Sequence, residues 1–365
     1  MTSHSEIRHC RWGILGAAFI ARKNWQAIRD AGNAELVAVA SRDLGRAQAF
    51  IEECQTSAPH PELPEAVEGY EALLARPDID AVYIPLPTGL RKEWVLRAAA
   101  AGKHVLVEKP VGRDASEVAE IIDACARHGV QFMDGVMFMH GLRLQRLRSV
   151  IDAEVGPVRH VTSQFSFRGD EAFLQSNIRA QGALEPLGCL GDLGWYCLRF
   201  TLWTCDWVEP EQVCGRVHQA TADGVPLEFS GSLVFAGGVS ASFHCSFTAA
   251  HAQWAVVSGE RGLLRLDDFV LPYAGVPPRY VVTHSEFVLD GCRADMRAGR
   301  FERNVDEPAN NAPGSQESML FRNFSSLVLK RRVDSHWPHI SLLTQRVLDA
   351  CLASARDGGA WRAMS

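Results

Sequence analysis

Three side chains in this sequence have the types and positions to move a proton and to stabilise charge on an oxygen. Lys109 follows the apolar run Val105, Leu106, Val107 and precedes Pro110, so it stands where a buried strand must stop. A lysine at such a strand end can hydrogen-bond a hydroxyl or carbonyl and stabilise negative charge that develops on oxygen during hydride transfer. Asp192 and Tyr196, within LGCLGDLGWY, are four residues apart, which puts both on one side of a helix. A phenol titrates near ~10, and a neighbouring ammonium stabilises the phenolate, which brings tyrosine within reach of acid/base work. Each residue also has a plainer reading: a solvated lysine after a strand, and a tyrosine held in a helical core by a satisfied hydroxyl.

A second group is of the kind that binds phosphate. Gly13, Gly16, Ala18 and Ala21 lie where the first strand turns into the first helix, and Gly16-x-Ala18-x-x-Ala21 approximates the pattern G-x-G-x-x-G/A. Small residues there let the backbone approach a pyrophosphate, whose charge the helix N-terminus stabilises. Gly16, Ala18, Phe19 and Ile20 are therefore the residues set against a dinucleotide, although a tight turn without ligand fits the same residues. At the end of the second strand, in Ala40-Ser41-Arg42-Asp43, an acidic residue would select NAD through the ribose 2′-hydroxyl; serine stands there instead. Arg42 offers a planar guanidinium to a 2′-phosphate and Arg46 adds a second charge, so NADP is expected over NAD. In the competing arrangement Ser41 caps the next helix, Arg42 is solvated and Asp43 binds the hydroxyl.

The elements that must position these residues alternate regularly in the first third of the chain. RWGILG, ELVAVAS, AVYIPLP, HVLVEK and VQFMD read as strands, with helical segments between them, one of which is closed by Gly102. Strands this continuously apolar are buried on both faces, as in a parallel sheet covered by crossover helices. The expected fold is α/β: an N-terminal Rossmann domain with a doubly wound parallel sheet over residues 1–134, then an α+β domain over 135–365 with a large, open, mostly antiparallel sheet. In the second part QVCGRVHQA, LEFSGSLVF, GVSASFHCSF, WAVVSG, GLLRLDD and RYVVTHSEFVL read as strands, and Gly237-Gly238 as a hairpin turn. The stretch 292–315 reads as a surface loop. ISLLTQRVLDACLASA reads as a last helix that packs back on the body.

Composition narrows the partners. A length of 365 residues favours two domains, and a net charge of -6 gives no basic face for nucleic acid or acidic lipid. No N-terminal leader pattern and no apolar run near ~18 residues is present, so a soluble, cytoplasmic protein is expected. The ten cysteines are spread singly and the thirteen histidines form no HExxH cluster, so neither disulfides nor a metal are expected. Cys189, Cys197 and Cys205 read as small core residues.

Taken together, GILGAAFIA (13–21), AGKHVLVEKP (101–110) and LGCLGDLGWY (187–196) resemble, in order and spacing, the three signatures of the Gfo/Idh/MocA oxidoreductase family. Within it the chain is similar to the branch of dimeric dihydrodiol dehydrogenases, NADP-dependent D-xylose dehydrogenases and their plant relatives; FRGDEAFLQSNIR (167–179) resembles the plant members. The resemblance implies Lys109, Asp192 and Tyr196 as catalytic residues, a cis Lys109–Pro110 bond, and Glu108, Pro87 and Thr88 beside the cofactor. Tyr196 would be the acid/base, Lys109 would lower its pKa and hold the substrate oxygen, Asp192 would orient the pair, and Arg179 would anchor substrate. A sugar, cyclic polyol or trans-dihydrodiol is the implied substrate, and a homodimer through the C-terminal sheet the implied assembly. Three departures stand out: Ala18 for the usual central glycine, Arg91 where many members carry histidine, and Gly188-Cys189-Leu190-Gly191 for a smaller-residue run. Two other readings of the same fold are a non-catalytic NADP-responsive regulator, and an enzyme using transient oxidation or imine reduction.

Overall fold

A computed structural model describes residues 8–171, 173, 177, 179 and 181–364; part of the string 167–179 thus lies outside the described residues. The chain divides into two compact units, one comprising 1–140 and 310–342, the other 141–309 and 343–365.

The first unit is built on six parallel strands: β1 (Cys10–Leu15), β2 (Ala34–Ser41), β3 (Glu65–Glu68), β4 (Ala81–Ile84), β5 (His104–Val107) and β6 (Phe132–Asp134). Their order, β3-β2-β1-β4-β5-β6, reverses direction between β1 and β4, the switch point where doubly wound sheets bind dinucleotides. β4 is wholly buried and β5 nearly so, as continuous apolar strings require. The crossovers are α1 (Phe19–Asp30), α2 (Leu44–Ser57), α3 (Tyr70–Leu74), α4 (Thr88–Ala100) and α5 (Ala115–Arg127). Asp43 and Asp114 start α2 and α5 by accepting the amides of Arg46 at 2.8 Å and Glu117 at 2.9 Å. Gly102, at φ +71°, takes the left-handed position that ends α4.

The second unit opens with α6 (Leu142–Val150) and carries nine strands of one sheet. These are β7 (Val158–Ser166), β8 (Gln212–Ala220), β9 (Pro226–Val234), β10 (Ser240–Ser246), β11 (Ala252–Gly259), β12 (Leu263–Leu266), β13 (Arg279–Thr283), β16 (Arg300–Asn304) and β17 (Arg362–Ala363), in the order β16-β13-β12-β11-β7-β10-β9-β8-β17. Only β7 and β10 pair in parallel; the other pairs are antiparallel. Burial alternates along β9 and β10, so one face carries Phe229, Leu233, Phe243 and Cys245 into the core with α7 (Trp195–Thr204). The other face carries Thr162, Gln164, Ser230, Ser242 and His244, all half-buried.

Three elements differ from the sequence expectation. Residues 292–315 are not a plain loop: β15 (Arg293–Arg297) pairs with β14 (Glu286–Asp290) in a hairpin, and β16 forms a sheet edge. Every residue of β15 and β16 is exposed, so neither strand buries an apolar face. The run RYVVTHSEFVL is two strands, β13 and β14, rather than one. The segment 310–342 belongs to the first unit and not to a continuous 135–365 domain, because α8 (Gln316–Leu329) lays Phe321 and Phe324 on the buried Trp12, at ring distances of 5.0 and 5.1 Å. Trp12 Nε1–H donates to Ser325 Oγ at 3.0 Å, which satisfies the indole. The last helix, α9 (His336–Arg356), contributes its start to the first unit and its remainder to the second.

Phe321 is fully buried and touches both Trp12 and Tyr83. Phe321→Ala is expected to destabilise the protein by about 3–5 kcal/mol, through lost burial plus an unfilled cavity, measured by chemical denaturation.

Candidate functional site

In the first unit the β1–α1 turn has the geometry its small residues suggest. Gly16 adopts φ +117°, and a side chain there would meet Leu86 at 3.0 Å and the Tyr70 hydroxyl at 3.6 Å, so only glycine leaves the cradle open. Ala18 is the N-cap of α1 with φ -83° and ψ 156°, a backbone that alanine adopts freely. The helix has no side-chain cap and no acidic residue in its first turn. Its N-terminal amides therefore offer a positive end for a pyrophosphate, and the residues present fit a dinucleotide. Phe19 is 84% exposed on that turn and Ile20 half-buried.

At the end of β2, Ser41 is buried and its Oγ accepts the Asp43 amide at 3.4 Å, a long contact. Asp43, not Ser41, caps α2, and its Oδ1 is engaged by the Arg46 amide. Arg42 and Arg46 are both exposed. Tyr70 joins them here, a residue that its sequence context does not single out. Burial pushes its phenol up, while the nearby Arg42 and Arg46 guanidinium groups act in the opposite direction. Gly69, which precedes it at φ +83°, donates its amide to Ser41 O at 2.8 Å, so the β3–α3 turn is fastened to the residue that faces the ribose in this fold class. The only sequence signal for this was a Gly-Tyr pair before a short helix.

The end of β5 is fixed by several side chains. Lys109–Pro110 is cis, as the family resemblance implies, and Lys109 is half-buried. Glu108 is turned into the domain: its Oε1 accepts the Tyr83 hydroxyl at 2.7 Å and its Oε2 the Lys109 amide at 3.3 Å. Tyr83 is fully buried and its phenol is held well above the ordinary value, first by burial and then by the adjacent Glu108 carboxylate; a hydrogen bond with Asn24 of α1 works against this. Pro87 is half-buried at the start of α4, and Thr88 is buried beside Arg91, whose Nη1 donates to Thr88 Oγ1 at 2.9 Å.

In the second unit, Asp192 lies in a π-helical turn, Leu190–Gly194, that leads directly into α7 and Tyr196. The expectation of one regular helix through both residues is thus modified by a wider turn, the kind often found at functional sites. The Arg179 guanidinium Nε lies 3.0 Å from Asp192 Oδ2, so the structure joins two residues that sequence placed thirteen apart. Tyr196 is only 7% exposed and packs edge-on against Phe165 at 5.6 Å. The unusual Cys189 is accommodated because its thiol donates to Cys245 O at 3.5 Å. Gly188, at φ +48°, has no room for a side chain, since a Cβ would lie 2.2 Å from Pro226 O. Among the described residues no group of three His, Cys, Asp or Glu is arranged to hold a metal, and no helix is long and apolar enough to cross a membrane.

A Rossmann sheet with an open phosphate-binding turn, followed by an α+β unit with a large sheet, is the architecture of a dinucleotide-binding protein. Residues 10–136 match the model of an oxidoreductase family with an NAD-binding Rossmann fold, and residues 144–265 match the GFO/IDH/MocA C-terminal domain. The chain belongs to the Gfo/Idh/MocA family. It is 34% identical to a D-xylose 1-dehydrogenase (NADP(+)) of Haloferax volcanii, over 84% of this chain and 93% of that one. It is 32% identical to the trans-1,2-dihydrobenzene-1,2-diol dehydrogenase of Mus musculus, over 72% and 76% of the two chains. A 3-ketoreductase from Actinomadura kijaniata, solved in complex with NADP and TDP-benzene, superposes with a TM-score of 0.79 at 26% identity, covering 95% and 98% of the chains.

Gly188→Ala is expected to cost at least about 2 kcal/mol of stability, because the added carbon both collides with backbone and opposes a left-handed φ. Thermal and chemical denaturation measure the loss.

Proposed function

We propose that the chain is an NADP-dependent dehydrogenase or reductase that moves hydride between the nicotinamide and an oxygen-bearing carbon of a sugar, cyclic polyol or trans-dihydrodiol. The observation that carries this reading is the strand-end lysine of β5, beside an inward-turned Glu108, lying in the same unit as an open dinucleotide turn. Membership of a family whose relatives include NADP-named sugar and dihydrodiol dehydrogenases supports it.

Gly16, Ala18, Phe19 and Ile20 hold the pyrophosphate side of the cofactor, Ser41, Arg42 and Arg46 the 2′-phosphate, and Pro87, Thr88 and Glu108 the wall toward the nicotinamide. When bound, the cofactor supplies the hydride acceptor or donor. Lys109 hydrogen-bonds the reacting oxygen and stabilises the charge that builds on it. Tyr196 exchanges the hydroxyl proton at its Oη, the general acid/base part of the reaction. Asp192, held by Arg179, orients that turn of the chain, and Arg179 anchors a substrate hydroxyl. A homodimer through the face bearing Thr162, Gln164, Ser242 and His244 is the assembly consistent with the half-buried polar side chains on that side of the sheet.

Absorbance at 340 nm over a panel of D-xylose, other aldoses, inositols and a trans-dihydrodiol is expected to show turnover with NADP in clear excess over NAD. An NAD preference overturns the cofactor assignment. Lys109→Ala and Tyr196→Phe are each expected to lower kcat by about 10²–10⁴-fold on the best substrate; near wild-type turnover in both would falsify the assigned roles. Arg42→Ala with Arg46→Ala is expected to weaken NADP binding by about 10–100-fold and NAD binding little, read by titration of cofactor fluorescence.

A further inference from the structure

We propose that Arg91 is a positioning residue for the Lys109–Pro110 loop, acting through main-chain carbonyls to fix the amine of Lys109. The idea rests on the reading of Lys109 as the group that holds the reacting oxygen. Arg91 lies in the first turns of α4 and is 5% exposed. Its Nε donates to Leu86 O at 2.7 Å, and its Nη1 donates both to Thr88 Oγ1 at 2.9 Å and to Pro110 O. Leu86 and Thr88 are in the segment leaving β4; Pro110 is in the segment leaving the adjacent β5. One guanidinium therefore ties two neighbouring strand ends together, at the carboxyl edge of the sheet where ligands bind in this fold class.

The chemistry favours a precise role over generic packing. A buried guanidinium is costly to desolvate, and its position is justified only where several acceptors meet its fixed fork of donors. Pro110 has no amide, so its segment cannot continue the β5 ladder, and its carbonyl needs a partner off the sheet. Arg91 supplies that partner one residue beyond Lys109. Its field also reaches Tyr83, the tyrosine whose hydroxyl Glu108 accepts, and opposes the rise in that phenol. The loop is thereby held at two successive residues: Glu108 takes the Lys109 amide, and Arg91 takes the Pro110 carbonyl. A lysine in place of Arg91 lacks the fork and can serve these acceptors only in part.

The test is Arg91→Met, Arg91→Gln and Arg91→Lys in the full chain, each checked for folding by thermal melting. The sequence has five lysines, Lys23, Lys92, Lys103, Lys109 and Lys330, so competitive acetylation with acetic anhydride, read by mass spectrometry, resolves Lys109 individually without any substrate. In Arg91→Met the Lys109 labelling rate is expected to change by about threefold or more while Lys23 and Lys330 stay at wild-type rates, and kcat for NADP-dependent oxidation of D-xylose to fall by about 10–100-fold with the KM for NADP little changed. Arg91→Lys recovers part of both effects. A folded variant with a lowered melting temperature but wild-type Lys109 labelling and kcat would show a merely structural arginine and overturn the proposal. If the methionine variant does not fold, the glutamine and lysine variants decide by the same two readouts. If the wild type oxidises no sugar or diol, the functional reading fails on its own, and Lys109 labelling still decides the role of Arg91.

Discussion

A strand buried on both faces can present a charged side chain to a reaction only if the chain leaves the sheet at once, and each backbone group exposed in leaving must find a partner. β5 meets that constraint within three residues. Val107 completes the buried run, Pro110 withdraws the amide that would extend pairing, and Lys109 sits between them. Glu108 accepts the Lys109 amide and the Tyr83 hydroxyl, while Arg91 donates to the Pro110 carbonyl. Such a set is favourable only when every member is matched, since an orphaned buried donor or acceptor costs about 1–3 kcal/mol. Tyr83, Glu108 and Arg91 thus behave as one polar lining, and the position of the lysine depends on all three. Tyr83 further connects that lining to Asn24 on α1, the helix whose N-terminus faces the phosphate turn.

The second unit solves a different problem, close approach of backbone to backbone. Gly188 passes within a carbon's width of Pro226 O at the start of β9, and the chain then winds as a π turn before it settles into α7. A π turn holds an extra residue, so it rotates the side chains that follow relative to a regular helix. Asp192 falls inside the turn and pairs with Arg179, whereas Tyr196 falls just beyond it in the buried helix. Cys189 and Cys245 stand 3.9 Å apart beneath this turn, and burial pushes the Cys245 thiol well up, first by desolvation and then by the hydrogen bond with Cys189. Both behave as the small, inert core residues their apolar surroundings suggest.

The fold was legible where the physics is local. Continuous apolar strings announced the parallel strands, and the Gly237-Gly238 turn announced the pairing of β9 with β10. What failed to show was polar or distant. β3, β15 and β16 are short strands rich in charge whose residues are exposed or half-exposed, so pairing forms them without a buried apolar face. α8 has a helical apolar stripe, but nothing local says that its phenylalanines lie on Trp12, about three hundred residues earlier in the chain. The site divides in the same way. Lys109 and the β1–α1 turn follow from residue type and position. Arg91 was visible as an arginine in an unusual place, yet its acceptors are chiefly carbonyl oxygens, which no side-chain pattern encodes. Tyr70 acquires its neighbours only through the turn that fastens Gly69 to Ser41.

Asp43 lies two residues beyond the position where an acid would select NAD, and a free carboxylate at that corner would accept a ribose hydroxyl and repel a 2′-phosphate. In the folded unit Asp43 is committed elsewhere, since one of its oxygens accepts the Arg46 amide and the N-terminal end of α2 stabilises its charge. The same cap sets the first turn of α2, and with it the main chain that carries Arg46. Arg42 precedes the cap, so the two guanidinium groups flank a carboxylate that is already engaged, and both act on the hydroxyl of Tyr70. Exposed charges attract by only about 1 kcal/mol at contact distance in water, so neither arginine alone would decide between a phosphate and a hydroxyl. Two cations near one buried phenol are the charges this corner sets against that of Asp43, whose carboxylate is already drawn to the start of α2.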